Sequence, residues 1–221
     1  IYPLVILGLI FLANKCEKDE EEPVTVIDKD GNLYTSVSIG TQVWMKENLK
    51  TTKYNDGSFI PKVTDGITWG ILTTDAYCWY DNDSSTYKST YGALYNWYAV
   101  NTGKLCPAGW HVPTDAEWTA LTTFLGGEAV AGSKLKETGT THWTSPNTDA
   151  TNESGFTALA GGYRQFGGSF YLIGTYAVFW SASQVDANRS WYRDMSYERG
   201  YVNKSSTNLT SGFSIRCLKD N

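Results

Sequence analysis

The sequence is poor in the side chains that most often do chemistry. Its 221 residues include two histidines and four cysteines, and charged residues make up 19%. No G-x-S-x-G, H-E-x-x-H or Walker A pattern occurs, which removes the nucleophile elbow, the zinc-protease helix and the phosphate loop as starting points. Basic residues do not gather either. The formal charge is −5, and Glu17-Lys18-Asp19-Glu20-Glu21-Glu22 alone, with five acids and one lysine, leaves −4. A nearly neutral remainder without a basic stripe has no electrostatic footprint for nucleic acid. The apolar run Leu4 to Ala13 falls short of the roughly 20 residues that cross a bilayer and suits a signal-peptide core instead.

What the chain does have is aromatic rings. Hydrophobic residues reach 41% and aromatics 14%, with nine Trp and fifteen Tyr. That is enough apolar material for one sizeable core. It is also more large amphipathic rings than such a core needs, and exposed Trp and Tyr commonly serve recognition.

The best-specified stretch runs from Cys106 to Leu125. Thr114 and Glu117 form a capping box, in which each side chain satisfies a backbone N–H left orphaned by the first helical turn, and Pro113 helps fix the start. Trp118, Leu121 and Leu125 then make one apolar stripe at helical pitch, so a main helix is expected over about 114–125, packed on the core. Gly126-Gly127 stops it, and Ala131 to Glu137 reads as a brief second helix.

Elsewhere the signals are those of short strands and loops. Val24–Ile27 and Leu33–Ile39 flank the turn Asp30-Gly31 as a hairpin, and Gln42–Met45 follows as a strand. Asp28, Asp30 and Asn32 have a spacing suggestive of calcium, but the rest of an EF-hand loop is missing, and turn chemistry is the reading. A loop-rich section extends from Glu47 to about Tyr77. Asp81–Ser85 reads as a turn cluster with enough oxygen for a cation, and Ala93–Val100 as a short helix with Leu94, Trp97 and Tyr98 on one side. Thr138 to Thr157 is a long polar loop in which Trp143 and Pro146 are set, and a loop of that length in a compact domain is usually functional or anchored by its own side chains. Aromatic strands alternate with glycine in the last third, at 161–164, 170–173, 178–181, 190–193 and 212–217, as an antiparallel meander without a fixed repeat.

Two resemblances add to this. Residues 1–15, with Cys16 and the acidic residues 16–23 behind them, resemble a truncated bacterial lipoprotein leader. In that resemblance Cys16 is lipidated and the acids form the tether of a Bacteroidota surface lipoprotein, although Lys15 stands where Gly, Ala or Ser is usual. From about Val26 to Asp220 the order I-G-T-Q-V-W-M, Y-C-W-Y, Y-G-A-L-Y-N-W-Y, C-P-A-G-W-H-V-P-T-D-A-E-W, G-G-Y-R, W-S-A-S and G-F-S-I-R-C-L resembles the Fibrobacter succinogenes major paralogous domain, assigning 24–221 to one domain. The setting it implies is an exported protein at the outer membrane or cell surface, or secreted.

More distantly, His111–Trp118 and Gly212–Cys217 are similar to segments of formylglycine-generating sulfatase-modifying enzymes. This likeness implies an α+β, C-type-lectin-like fold of short antiparallel strands and many long loops. It places the terminal strand beside the strand preceding the helix, hence Cys106 and Cys217 in a disulfide, with Cys78 left as a buried thiol. Those enzymes act through a reactive cysteine pair upstream of the closing strand. Trp180 to Ser211 contains no Cys, so that activity does not carry over.

Of the two histidines, His111 stands in the helix lead-in, and His142 lies in a loop without a nucleophile motif. The carboxylates leave room for a glycosidase pair, whose spacing of about 5 to 9 Å sequence cannot show. The expectation is a non-enzymatic surface module that binds carbohydrate or another surface macromolecule, with no cofactor and no metal. Its candidate ligand residues are Asp186, Asn188, Arg189, Trp191, Tyr192, Arg193, Tyr197, Glu198 and Tyr201, where rings could stack on sugars and polar groups read hydroxyls. The competing expectation is an adhesin or assembly component whose aromatic face meets protein. Calcium-dependent lectins carry E-P-N or Q-P-D with W-N-D, and none occurs here.

Overall fold

A computed structural model describes residues 24–220. The leader, Cys16 and the acidic tether lie outside the described residues. In chain order the strands are β1 (Val26–Ile27), β2 (Leu33–Tyr34), β3 (Ser36–Ile39), β4 (Gln42–Met45), β5 (Tyr77–Cys78), β6 (Leu94–Tyr95), β7 (Trp110–His111), β8 (Gly161–Arg164), β9 (Phe170–Ile173), β10 (Tyr176–Asp186), β11 (Arg189–Ser196), β12 (Asn203–Asn208) and β13 (Leu218–Lys219). The helices are α1 (Gly66–Gly70), α2 (Ser84–Tyr91), α3 (Trp97–Val100), α4 (Asp115–Phe124) and α5 (Glu128–Leu135). The result is a mixed α and β architecture of small antiparallel sheets joined by long loops. No helix among the described residues is long and apolar enough to cross a membrane.

The main helix, α4, begins at its capping box. Thr114 Oγ1 accepts from the Glu117 amide, and the Glu117 carboxylate takes the Thr114 amide at 2.7 Å. Trp118, Leu121 and Leu125 are buried, as their spacing predicts. The closing strand β13 lies between β4 and β7 in the sheet order β3-β4-β13-β7, and Leu218 pairs antiparallel with His111. It therefore lies beside the strand that precedes α4. Cys106 and Cys217 are joined in a disulfide across 111 residues, and Cys78 is a free, buried thiol whose pKa burial pushes up to about 12.

The largest sheet, β10-β11-β12, separates two hydrophobic clusters. Side chains alternate across it, so Ala177 and Phe179 face α4's cluster with Trp44, Trp118 and Phe156, while Val178 and Trp180 face the cluster of Tyr95, Trp97 and Phe213. Eight of the nine tryptophans are buried, Trp191 being the exception. The surplus of indoles is thus consumed inside rather than displayed. A loop-rich interior is tied together by side-chain donors to its carbonyls, and indole N–H groups supply several of them: Trp180 to Tyr95, Trp97 to Ser181, Trp143 to Ala158, at 2.8 to 3.0 Å.

Buried cations serve the same end. Arg216 donates to the carbonyls of Met45, Phe156 and Thr157 and to Asn48 Oδ1, and lies over the Phe156 ring. Arg164 donates to Gly168, Val63 and Thr64, and Lys136 to Thr148, Ser196 and Arg199. Burying a lone charge costs several kcal/mol. Three or four charge-assisted hydrogen bonds at about 1.5–3 kcal/mol each offset that cost and fix the loops.

Several elements differ from the sequence reading. Of Ala93–Val100 only Trp97–Val100 is helical, because Leu94–Tyr95 pairs with Tyr77–Cys78. The polar cluster at 81–85 leads into α2, whose N-cap Asp83 accepts from the Ser85 and Thr86 amides. Residues 212–217 form isolated bridges from Gly212, Phe213 and Ser214 to three different segments instead of one strand. Asp28 is the centre of the β1–β2 turn, accepting from the Asp30 and Asn32 amides and from Tyr34 Oη. The second hairpin, β3–β4, reverses at Gly40, whose φ of +64° suits glycine.

Candidate functional site

The two faces of the β10-β11-β12 sheet end differently. On the α4 side, Arg193 is fully buried and meets Asp115 at 2.8 Å. Lys204 meets the other Asp115 oxygen at 2.7 Å and lies 4.4 Å from the Trp191 ring centroid. Burial opposes charge on Asp115, but Lys204 and Arg193 outweigh it and hold its pKa low. As the first residue of α4, Asp115 also meets the positive end of the helix. Arg193 is thereby enclosed between sheet and helix, and Lys204 covers the half-buried Trp191.

The opposite face opens into a cleft of about 290 Å³, lined by Tyr163, Gln165, Phe166, Leu172, Tyr176, Val178, Tyr192, Asp194, Thr207, Ser211 and Phe213. Register explains the membership. Tyr192 lies opposite Trp180 and Ser205, and Asp194 opposite Val178 and Asn203, so both project to the face away from α4. Phe213 is the floor, with edge-on contacts to Tyr163 at 5.7 Å and Tyr192 at 5.1 Å and a tilted contact with Trp180 at 4.3 Å. Its placement depends on the Gly212–Ser214 bridges, and Gly212 is required there, since a Cβ would come within 2.9 Å of Trp69.

Asp194 is 6% exposed and is the one formally charged lining residue. Asn203 Nδ2 donates to its Oδ2 at 2.7 Å, and among the described residues Oδ1 has no hydrogen-bond partner. Burial raises its pKa, against the pull of Asn203 and a weaker one from Arg199. Burial likewise raises Tyr163 and Tyr192. At the rim, Leu172 holds φ at +63°, a left-handed conformation costly for a leucine, opposite Gly162 at +61°. An aromatic cleft with one buried, under-partnered carboxyl and a strained rim residue has the marks of a binding site.

The residues picked from sequence do not converge. Asp186, Asn188 and Arg189 form an exposed hairpin tip in which Arg189 pairs with Asp186 at 2.8 Å. Tyr197 donates to Glu198, and Arg199 donates to Tyr201, in the next turn. Arg199 also reaches Tyr176 Oη at 3.2 Å, which ties that turn to the cleft wall. Tyr192 alone of the group lines the cleft. Tyr163, Phe166, Tyr176, Asp194 and Phe213 were not legible as site residues. Asp194 carried no distinguishing signal, since its strand Arg-Ser-Trp-Tyr-Arg-Asp-Met-Ser already mixes charged, polar and aromatic residues.

Of the remaining features, His111 bridges Asp220 at 2.6 Å and Glu117 at 2.9 Å, so it belongs to the α4 cap. His142 meets Glu137. A wider depression, about 660 Å³ beside the exposed Phe124, has Glu153 as its one charged lining residue and is open. Among the described residues no three His, Cys, Asp or Glu side chains cluster to hold a metal ion.

A family model, the Fibrobacter succinogenes major domain, matches residues 37–219, and the chain belongs to that family. No curated protein and no solved structure matches it.

Proposed function

We propose that this member of the Fibrobacter succinogenes major domain family is a non-enzymatic binding module at the cell surface or secreted, and that the Tyr192–Asp194 cleft takes carbohydrate. The observation that carries the reading is the lining itself: three tyrosines and two phenylalanines around one largely buried carboxyl, with Gln165, Thr207 and Ser211 at hand. Sugar rings stack on aromatic faces while carboxylate, amide and hydroxyl groups read their hydroxyls. Glycoside hydrolysis of the usual kind uses two carboxylates, and the lining brings one, which favours binding over turnover.

The fold we take to be C-type-lectin-like. In support stand the closing strand beside the strand before α4, the Cys106–Cys217 disulfide and the preponderance of loops. The disulfide also supports export, since such bonds persist in oxidising compartments, and anchoring would run through a lipid on Cys16. A glycan array tests the reading: saturable binding to a defined glycan set, lost in Tyr192→Ala, is expected. A flat array together with retention of a surface protein would turn the assignment to an adhesin.

A further inference from the structure

Asp194 asks for more than a neutral sugar can supply. It is 6% exposed, Asn203 satisfies one oxygen, the other is open to the cleft, and among the described residues no cation pairs with it. Arg199, the nearest guanidinium that acts on it, is committed to the hydroxyls of Tyr201 and Tyr176 at 2.8 and 3.2 Å. No lining residue carries positive charge. A buried carboxylate in this position is destabilised until something in the cleft pairs with it. A hydroxyl would give Oδ1 a hydrogen bond but no charge. An ammonium gives both, and aromatic faces attract it as well, by about 0.5–2 kcal/mol per favourable ring.

Building on the carbohydrate reading, we infer that the preferred ligand is an amino sugar with a free amine, its ammonium seated against Asp194 among the rings of Tyr163, Tyr176 and Tyr192. The rings supply the stacking surface for the pyranose and the cation–π contact for the amine in one cleft. N-acetylation would remove the charge, enlarge the substituent and leave Asp194 unpaired. The site is therefore a selector for the deacetylated form of a glycan, set by a single carboxyl.

The test is calorimetric titration of the full chain with three oligosaccharides of equal length and the same β-1,4 linkage, built from glucosamine, N-acetylglucosamine and glucose. The glucosamine oligomer is expected to bind at least about tenfold more tightly than the other two, which corresponds to about 1.4 kcal/mol. Asp194→Asn should bring the three within about threefold of one another. Tetramethylammonium chloride should displace the glucosamine oligomer from the unaltered protein where sodium chloride at equal ionic strength does not, a readout independent of how the variant folds. Equal or tighter binding of the acetylated or glucose oligomer, or indifference to tetramethylammonium, overturns the inference and leaves the cleft a saccharide site. Binding of none of the three overturns the inference, and a flat glycan array besides would remove the reading on which it rests.

Discussion

The two faces of the β10-β11-β12 sheet each carry an aspartate within reach of aromatic rings, and they use it in opposite ways. Asp115 is partnered on both oxygens, by Arg193 and Lys204, and closes its face. Asp194 is more deeply buried, has one amide partner, and faces a cleft. Partnering and burial pull a carboxyl in opposite directions, and the pKa of Asp115 is lowered while that of Asp194 is raised. What separates a structural carboxylate from a candidate binding carboxylate here is the presence of a cation together with shallower burial. Adjacent residues of one strand, Trp191 and Tyr192, fall on the two sides of that difference.

The strongest way to break the comparison is to loosen what both faces rest on. Phe213, the cleft floor, lies four residues before Cys217, so the disulfide anchors the segment that carries it. Replacing Cys106 and Cys217 by Ser should cost on the order of 4–5 kcal/mol by loop-closure entropy, read by denaturant unfolding, with loss of the cleft's ligand binding. Next, Asp115→Ala strands Arg193 as a buried unpaired charge and should cost about 3–5 kcal/mol. Asp194→Asn removes an under-partnered charge and should leave stability unchanged or slightly higher in the same unfolding measurement. Equal losses in the two variants would erase the distinction between the faces.

Smaller effects sharpen it. Leu172→Gly relieves the left-handed backbone at the rim and should raise stability by about 1 kcal/mol, seen as a higher melting temperature, while trimming the cleft wall. Smallest is the His111 bridge at the start of α4. Desolvation works against its charge, but its hydrogen bonds to Asp220 and Glu117 outweigh it and raise its pKa above the ordinary 6.5. A raised histidine contributes stability below 6.5, and that contribution is lost as pH rises through the folded value. Glu117, whose pKa is lowered despite desolvation, contributes in the opposite sense, lost as pH falls below its ordinary 4.5 toward the folded value. His111→Ala should therefore differ from the unaltered protein most between about pH 4.5 and 6.5, by about 0.5 kcal/mol for a half-exposed pair. The difference should fade above neutrality in thermal melts across pH.

Local signals were legible where they did not depend on distant partners. The capping box of α4 and the aromatic strands 161–164 and 170–173 stand in the structure as the sequence reads. Helix α2 was hidden because Tyr87 and Tyr91 are its only aromatic residues among serines, threonines and a lysine, and it buries no residue fully. Strand β12, Asn-Lys-Ser-Ser-Thr-Asn, has no apolar residue and owes its form to pairing with β11. The cleft was illegible for a related reason. Its walls come from β8, β9, β10, β11, β12 and the 211–213 segment, and a crowded strand read without its register cannot say which of Trp191 and Tyr192 faces out. Composition pointed to Trp and Tyr alike as recognition residues, whereas eight of the nine indoles went into the core.

Trp191 and Tyr192 give the most direct test. With the glycan that gives the strongest array signal, calorimetric titration of Trp191→Ala should return an affinity within about twofold of the unaltered protein. Tyr192→Ala should lose at least about tenfold, as expected for truncating a central aromatic anchor. Affinity lost in Trp191→Ala and kept in Tyr192→Ala, with both variants folded, would place the site on the α4 side of the sheet and contradict the account.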